Sequence, residues 1–529
     1  MSRTVGQPKP GAVAAPPHMS SESLTQTVAA DAGLGQPGEV HEKSLGASAQ
    51  TVVRNFASLL LGRFGSQVIG FATNAYLARR IAPSGFGAVG LAQSVVSYLS
   101  LMSDSGLSVI AVREGAQNPS GLSGLIGSIT GLRLALSCAL LPFGFLAAQF
   151  LPFSEASRDV LRVFALSLPL QALAVDWVFR ALQRMQYAAI TQLATAALTL
   201  ALTVSFVRSP QHLLRVPWLG LATSAAAFAL SLYLLARTGH RFSVSFRLSR
   251  SKKYLVQSLP LCGASFAVTL YLQANYLILG KVHGDAEVGM YVAASKIAGV
   301  VFTVTTLYFS AMAPAMMALY VRSREDAATL LTESVRLTAA AGCGLAAMGA
   351  VGSGLILTGV FGPAFSPAQP ALALLLCSGG VLAVTQNWCV LAIAAQRERL
   401  VLWATALGGV TNLIVCGALV RRYASVGAAI GNLAAETVAA AVLVLAWPRE
   451  LGIGPLRVAG IPAALAVIAV LAGALLMPFG HLSAFCAAPA IYALGLLVTR
   501  TVTIRDIRRL WSAFRIPDPR NYEPLPAQE

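Results

Sequence analysis

Acidic residues are scarce in this chain. Only 21 of its 529 residues are Asp or Glu, and all charged types together reach 11%, against about 25% in a typical soluble domain. With 56% hydrophobic residues and a mean hydropathy of +0.69, the chain lacks the polar surface to cover itself in water, so lipid must be its solvent. Cysteine is sparse too. The seven, Cys138, Cys262, Cys343, Cys377, Cys389, Cys416 and Cys486, all fall in apolar stretches. An odd number with none in a loop argues against a disulfide framework or a CxxC metal site, and they read as small core hydrophobes. Six histidines are dispersed, with no HExxH, no GxSxG and no metal-spaced cluster. No GxxxxGK[ST] is present, which excludes a built-in P-loop ATPase. The reading is therefore of a protein that is no enzyme and holds no metal or cofactor.

What the chain does have is a basic excess, 38 Lys plus Arg for a formal charge of +17. Nucleic acid would need those charges clustered on one folded aqueous face; here they are scattered between apolar runs. A spanning helix needs about 20 largely apolar residues, and that ruler finds about fourteen spans, starting near Phe56, Gly87, Leu122, Val160, Met185, Val216, Tyr254, Val288, Ala327, Gln369, Leu400, Ser425, Val458 and Leu482. The Lys and Arg bias of the short loops puts both termini in the cytoplasm. Residues 1–52, rich in Gly, Pro, Ala, Ser and Gln, read as a disordered cytoplasmic tail. The most basic connector, RTGHRFSVSFRLSRSKK from Arg237 to Lys253, divides the spans into bundles at 53–245 and 246–450. Helices 13 and 14 follow at 451–501, then a cytoplasmic tail at 502–529.

The two bundles carry a repeat. At an offset of about 200 residues LARRIAPSGFGAVGLAQS, from Leu77, aligns with LGKVHGDAEVGMYVAASK, from Leu279, so that Arg79 meets Lys281 and Gly87 meets Gly289. LQRMQY from Leu182 aligns with AQRERL from Ala395 in the same order. Six spans separate the copies, an even number, so the bundles are related by an axis along the membrane normal and enclose a central cavity.

Ionisable groups inside spans are expensive and face a cavity or a partner. Arg63, Ser66, Gln67 and Asn74 share one face of span one, and Ser265, Thr269, Gln273 and Tyr276 share the matching face of span seven. Helix-to-helix hydrogen bonding is the plain alternative for both stripes. Arg63, Arg133 and Lys296 are three cations at membrane depth; facing one cavity, they would attract an anion such as a phosphate. Plain alternatives stand beside that reading, since Arg133 can pair with a neighbouring acid and Lys296 can snorkel outward. Asp176 and Arg180, at i and i+4, read as a structural ion pair. Asp104 and Glu436 are the remaining carboxylates considered for ion coupling. Glu436 follows Asn432 by four residues with no basic residue within a turn, so it is a candidate proton or sodium site, with pairing across helices as the alternative. The Gly127xxxGly131, Gly427xxxGly431 and Gly342 to Gly354 patterns read as close packing.

The segment from Arg54 to Glu114, with its LARRIAPSGFG loop, its Asp104-Ser105-Gly106-Leu107 (DxGL) run and its Arg113-Glu114 pair, resembles the opening of bacterial Wzx-type polysaccharide flippases of the MATE/oligosaccharidyl-lipid (MOP) superfamily. FRALQRMQY, from Phe179, and LILGKVHGDAEVGMYVAASK, ending at Lys296, are similar to later segments of that family, over about residues 52 to 450. The resemblance implies an all-α, MATE-like membrane protein with two pseudo-symmetric six-helix bundles and a C-terminal helix pair. It implies a flippase that moves undecaprenyl-diphosphate-linked oligosaccharide repeat units across the bacterial inner membrane for O-antigen, capsule or exopolysaccharide, with a polymerase and a chain-length regulator as partners. An ion gradient would drive it, through Glu436 or Asp104. A lipid II flippase and a cation-coupled multidrug exporter of the same superfamily are the alternatives, the exporter disfavoured by the intramembrane Arg and Lys. A facilitator of the major superfamily would carry GxxxDRxGRR after span two, where REGAQNPSG stands instead.

Overall fold

A computed structural model describes residues 37–118, 121–245, 248–448, 451–452 and 454–503. Of the expected tails, 1–36 and 504–529 lie outside the described residues, and 37–52 belong to the backbone of the first helix. The main body of the protein begins at Ser58, and its described residues are helical without strands. In chain order the helices are α1 Pro37–Asp104, α2 Leu107–Gln117, α3 Leu122–Phe150, α4 Glu155–Ala165, α5 Ser167–Ala172, α6 Asp176–Ala181, α7 Met185–Phe206 and α8 Arg215–Ala236. They continue with α9 Leu248–His283, α10 Asp285–Arg322, α11 Arg324–Phe361, α12 Gln369–Ala394, α13 Glu398–Leu445, α14 Gly460–Leu476 and α15 His481–Val498. Among the described residues ten helical segments are long and apolar enough to cross a membrane, two of them kinked within. The chain is a multi-pass membrane protein.

The kink in α1 falls directly before a proline. Ala82 leaves the helical region at φ 61° and ψ 172°, and the ring of Pro83 disfavours continuing the α conformation there. The residue that the repeat aligns with Ala82 is Gly284, and it breaks the chain in the same way, at φ 78° and ψ −171°. The second aligned pair also shares its geometry. Gln183 and Gln396 sit at φ 54° and 56°. In each case the next amide reaches back five residues, Arg184 to the Phe179 carbonyl and Arg397 to that of Ala392, as in a Schellman cap. Elsewhere ordinary capping sets the ends: Ser154 accepts from the Ser157 amide at 3.1 Å to start α4, and Ser323 from the Asp326 amide at 3.2 Å to start α11.

Between helices in lipid, close packing depends on small residues. A side chain at Gly342 would meet the Gly380 backbone and one at Gly352 the Phe485 ring, while Gly427 and Gly431 let the two arms of α13 fold onto each other. The glycine patterns are packing surfaces. The aligned pair Gly87 and Gly289 is packed on itself. A Cβ at Gly87 would overlap the Asp285 carbonyl, and one at Gly289 the Pro83 carbonyl, so each glycine meets the residue four positions before its counterpart. Around this seam Phe71, Phe86, Phe361 and Phe365 cluster with centroids 5.7–6.1 Å apart. Ser154 and Ser157 donate to the Asp285 carboxylate, the latter at 2.8 Å, and Arg79 donates to the carbonyls of Gly359 and Val360 at the end of α11. Those carbonyls are the negative end of a helix dipole, where a guanidinium is favoured. All seven cysteines are free; Cys416 is buried, but Cys138 and Cys486 are exposed on apolar helices instead of lying in the core.

Two helices break near one arginine. The first break follows Asp104, where Ser105 and Gly106 adopt φ 46° and 76° before α2 begins, and this is the DxGL run. The second is the unwound stretch 173–175 between α5 and α6. Arg133, on the unbroken α3, lies between them. Its Nε is 3.1 Å from Asp104 Oδ1, its Nη1 donates to the Ala174 carbonyl at 3.0 Å and its Nη2 to that of Gln171 at 3.3 Å. Non-helical backbone within an apolar helix is tolerated where protein satisfies it or where it lines a cavity, and at the second break Arg133 supplies the donors.

Apparent melting temperature in detergent tests both features. Gly289→Ala should lower it, since overpacking against a carbonyl costs about 1–3 kcal/mol. Gly299→Ala in the same helix, with open space at its Cβ, should leave it level or raise it slightly. Arg133→Ala should cost about 3–5 kcal/mol, because it strands the Asp104 charge.

Candidate functional site

A polar cavity of about 760 Å³ opens alongside this arginine. Along α1 it is lined by Gln93, Ser97, Ser100 and Asp104, a run of about 16 Å at 1.5 Å per residue. Arg133 and Gln171 form the next wall, Thr223 and Ser224 of α8 another, and Thr269 and Gln273 of α9 are contributed by the second half. The volume falls within the range of about 300–1,000 Å³ usual for ligand sites. Gln171 fixes part of the lining, since its Oε1 accepts from the Ser100 hydroxyl at 2.9 Å and its Nε2 donates to Ser167 Oγ at 2.8 Å. Asp104 Oδ1 accepts a further hydrogen bond, 2.5 Å from the Ser108 hydroxyl. A second cavity of about 550 Å³, between α11, α12 and α13, is lined mainly by apolar side chains, Trp388 and Val444 among them.

Of the residues singled out in the sequence, Arg133, Asp104 and Gln273 come together in the polar cavity. Arg133 is paired with a neighbouring acid, and that acid is Asp104, itself a coupling candidate. Arg63, Gln67 and Asn74 do not line the cavity: Arg63 and Gln67 are exposed, and the Asn74 amide donates to its own helix at the Gly70 carbonyl, 2.7 Å away. Lys296 is half-buried, and no described side chain forms an ion pair with it. It lies four residues beyond Val292, whose side chain fills the space at Gly90, so it occupies the same face of α10 one turn deeper than the seam. Lys296 is outside the cavity lining. On α13, Asn432 Nδ2 donates to Ser378 Oγ at 2.8 Å, and Glu436 lies beside Cys389, away from the polar cavity. Asp176 and Arg180 form no ion pair among the described residues; Asp176 Oδ1 is buried without a hydrogen-bond partner. They belong to a single short turn, α6, whose N-terminal dipole already favours the acid.

The cavity residues missed in the sequence were within reach of the same rule that found the span-one stripe. Gln93, Ser97, Ser100 and Asp104 fall at i, i+4, i+7 and i+11, one helical face. Gln171 carries no such signal, because α5 ends at the next residue, Ala172. Among the described residues no group of three or more His, Cys, Asp or Glu is placed to hold a metal ion.

Comparison with known proteins places this architecture. The chain is 17% identical over 396 residues to an O-antigen transporter of Escherichia coli strain K12, covering 74% of this chain and 95% of that protein. It is 26% identical over 387 residues to the succinoglycan biosynthesis transport protein ExoT of Rhizobium meliloti strain 1021, covering 70% and 75%. Among solved structures it is similar in fold to the lipid II flippase MurJ in an inward closed conformation, with a TM-score of 0.66, 11% identity and coverage of 85% and 99%. It is also similar to an inward-facing MATE family multidrug transporter of the MOP superfamily, with a TM-score of 0.59, 14% identity and coverage of 74% and 94%. These relatives are transporters or flippases, not enzymes. The model of the polysaccharide biosynthesis protein family matches residues 52–320, just over half of the chain, and the protein belongs to that family, as its resemblance to the Wzx-type flippases implied.

Proposed function

We propose that this protein is a flippase that carries undecaprenyl-diphosphate-linked oligosaccharide repeat units across the bacterial inner membrane for O-antigen, capsule or exopolysaccharide assembly. The observation that carries this reading is a polar cavity between apolar helices, lined from both halves of the chain, in a member of a polysaccharide biosynthesis family. Sugar hydroxyls need such a surface, and an isoprenoid tail can stay in the surrounding lipid. Counting each kinked helix as two spans and adding Leu248–His283 and Leu482–Val498 supports the fourteen-span reading, with bundles at 53–245 and 246–450. The reciprocal packing of Gly87 and Gly289 is what a two-fold relation between bundles would produce. With both termini cytoplasmic, this seam lies at the outer end, so the cavity is held closed to the outside and alternating access requires the seam to part.

Within that frame the residues divide by role. Gln273 and the Arg133–Asp104 pair line the glycan compartment. Lys296, on the seam face and without an ion-pair partner among the described residues, receives the diphosphate. Arg63, Gln67 and Asn74 form the stripe the headgroup meets on its way in. Coupling to an ion gradient falls to Glu436 with Asn432, because Asp104 already holds Arg133 and Ser108. A polymerase and a chain-length regulator take up the product.

Disruption of the gene should abolish surface polysaccharide while lipid-linked repeat units accumulate in the inner leaflet; normal polysaccharide with altered drug sensitivity would overturn the reading. Complementation with Lys296→Ala should lower flipping about tenfold or more, the loss of a charge-assisted hydrogen bond to phosphate, and Lys296→Arg should restore most of it. With Glu436→Gln, flipping should lose its dependence on an imposed pH gradient.

A further inference from the structure

The polar cavity holds two formal charges among its described lining residues, Arg133 and Asp104, and they cancel. Nor are the two equally open. Arg133 turns its nitrogens to Asp104 and to the carbonyls of Ala174 and Gln171, and its side chain is 11% exposed, whereas that of Asp104 is 27% exposed. Anything entering therefore meets the acid more than the base. The remaining polar lining, Gln93, Ser97, Thr269 and Gln273 among it, is neutral and offers both donors and acceptors. Arg63 and Lys296, the cations that could offset another negative charge, stand outside the lining.

An anionic sugar brought here would give up its hydration and find no free cation in return, with the nearest accessible charge repelling it. Desolvation of an ion is recovered only by a well-placed opposite charge. A neutral sugar loses hydroxyl–water hydrogen bonds and regains them from amides and hydroxyls. We propose that the cavity is selective for uncharged sugars, and that Asp104 sets this selectivity by neutralising Arg133 and by facing the lumen itself. This rests on the flippase reading and narrows its substrate class to repeat units whose cavity-bound sugars carry no carboxylate. The diphosphate is held elsewhere.

The test uses the full-length protein in liposomes and two probes: undecaprenyl-diphosphate-linked oligosaccharides of equal length, one of neutral hexoses and one containing a hexuronic acid. The quantity read is the ratio of their initial flipping rates. The wild type should favour the neutral probe about tenfold or more, the scale of one charge acting across a few ångströms of protein. Gln93→Lys adds a positive charge to the lining without touching the Arg133–Asp104 pair, and it should bring the ratio down several-fold. Asp104→Asn should do the same, and if that variant fails to fold, Gln93→Lys carries the test alone. A wild-type ratio near one, or an unchanged ratio in Gln93→Lys, overturns the selectivity. A folded wild type that moves neither probe overturns the flippase reading, and the proposal with it.

Discussion

Lipid offers a peptide group no hydrogen bond, so every break in a membrane-spanning helix must be repaired by the protein itself. This constraint organises the first half of the molecule. The chain breaks after Asp104 and again at 173–175, which frees backbone carbonyls and bends two helices around a hollow. Arg133, on an unbroken helix, answers the second break by donating to the carbonyls of Gln171 and Ala174, and it meets the first only through the Asp104 carboxylate. A guanidinium suits the task because its donors are fixed in a plane, permanently charged, and numerous enough for three partners. Because Arg133 is used up in the wall, the hollow it supports is polar without being cationic.

The same economy of polar groups shapes the closed end. The two halves meet there through backbone against backbone, with glycine on each side, and the polar contacts are few and specific: two serines on Asp285, and Arg79 on the last carbonyls of α11. A contact made by shape, with little electrostatic attraction, can be parted and remade without stranding buried charges.

The arrangement also separates a neutral polar wall from a lone cation, which is the division the proposed function uses. The cavity wall presents amides and hydroxyls, while Lys296 stands apart on the seam face, one turn from Val292. A lipid-linked oligosaccharide has a corresponding division, with its charge confined to the diphosphate between glycan and isoprenoid. The fold resembles those of MurJ and MATE transporters at 11% and 14% identity.

Much of this was legible in the sequence. Scarcity of charge dictated lipid as solvent, proline and glycine marked the breaks at Ala82 and Gly284, and the aligned glycines of the repeat turned out to touch. The LQRMQY and AQRERL segments adopt the same cap. These features are local, written in hydropathy and in backbone preferences that a few residues decide. Which polar residues face one another was not legible, because helical periodicity gives a face but not what lies opposite it. Arg63, Arg133 and Lys296 looked alike as cations at membrane depth. Tertiary packing alone set them apart, exposing Arg63, leaving Lys296 without an ion-pair partner beneath the seam, and giving Arg133 to Asp104 and a broken helix, since the fate of a buried charge depends on partners brought from distant parts of the chain.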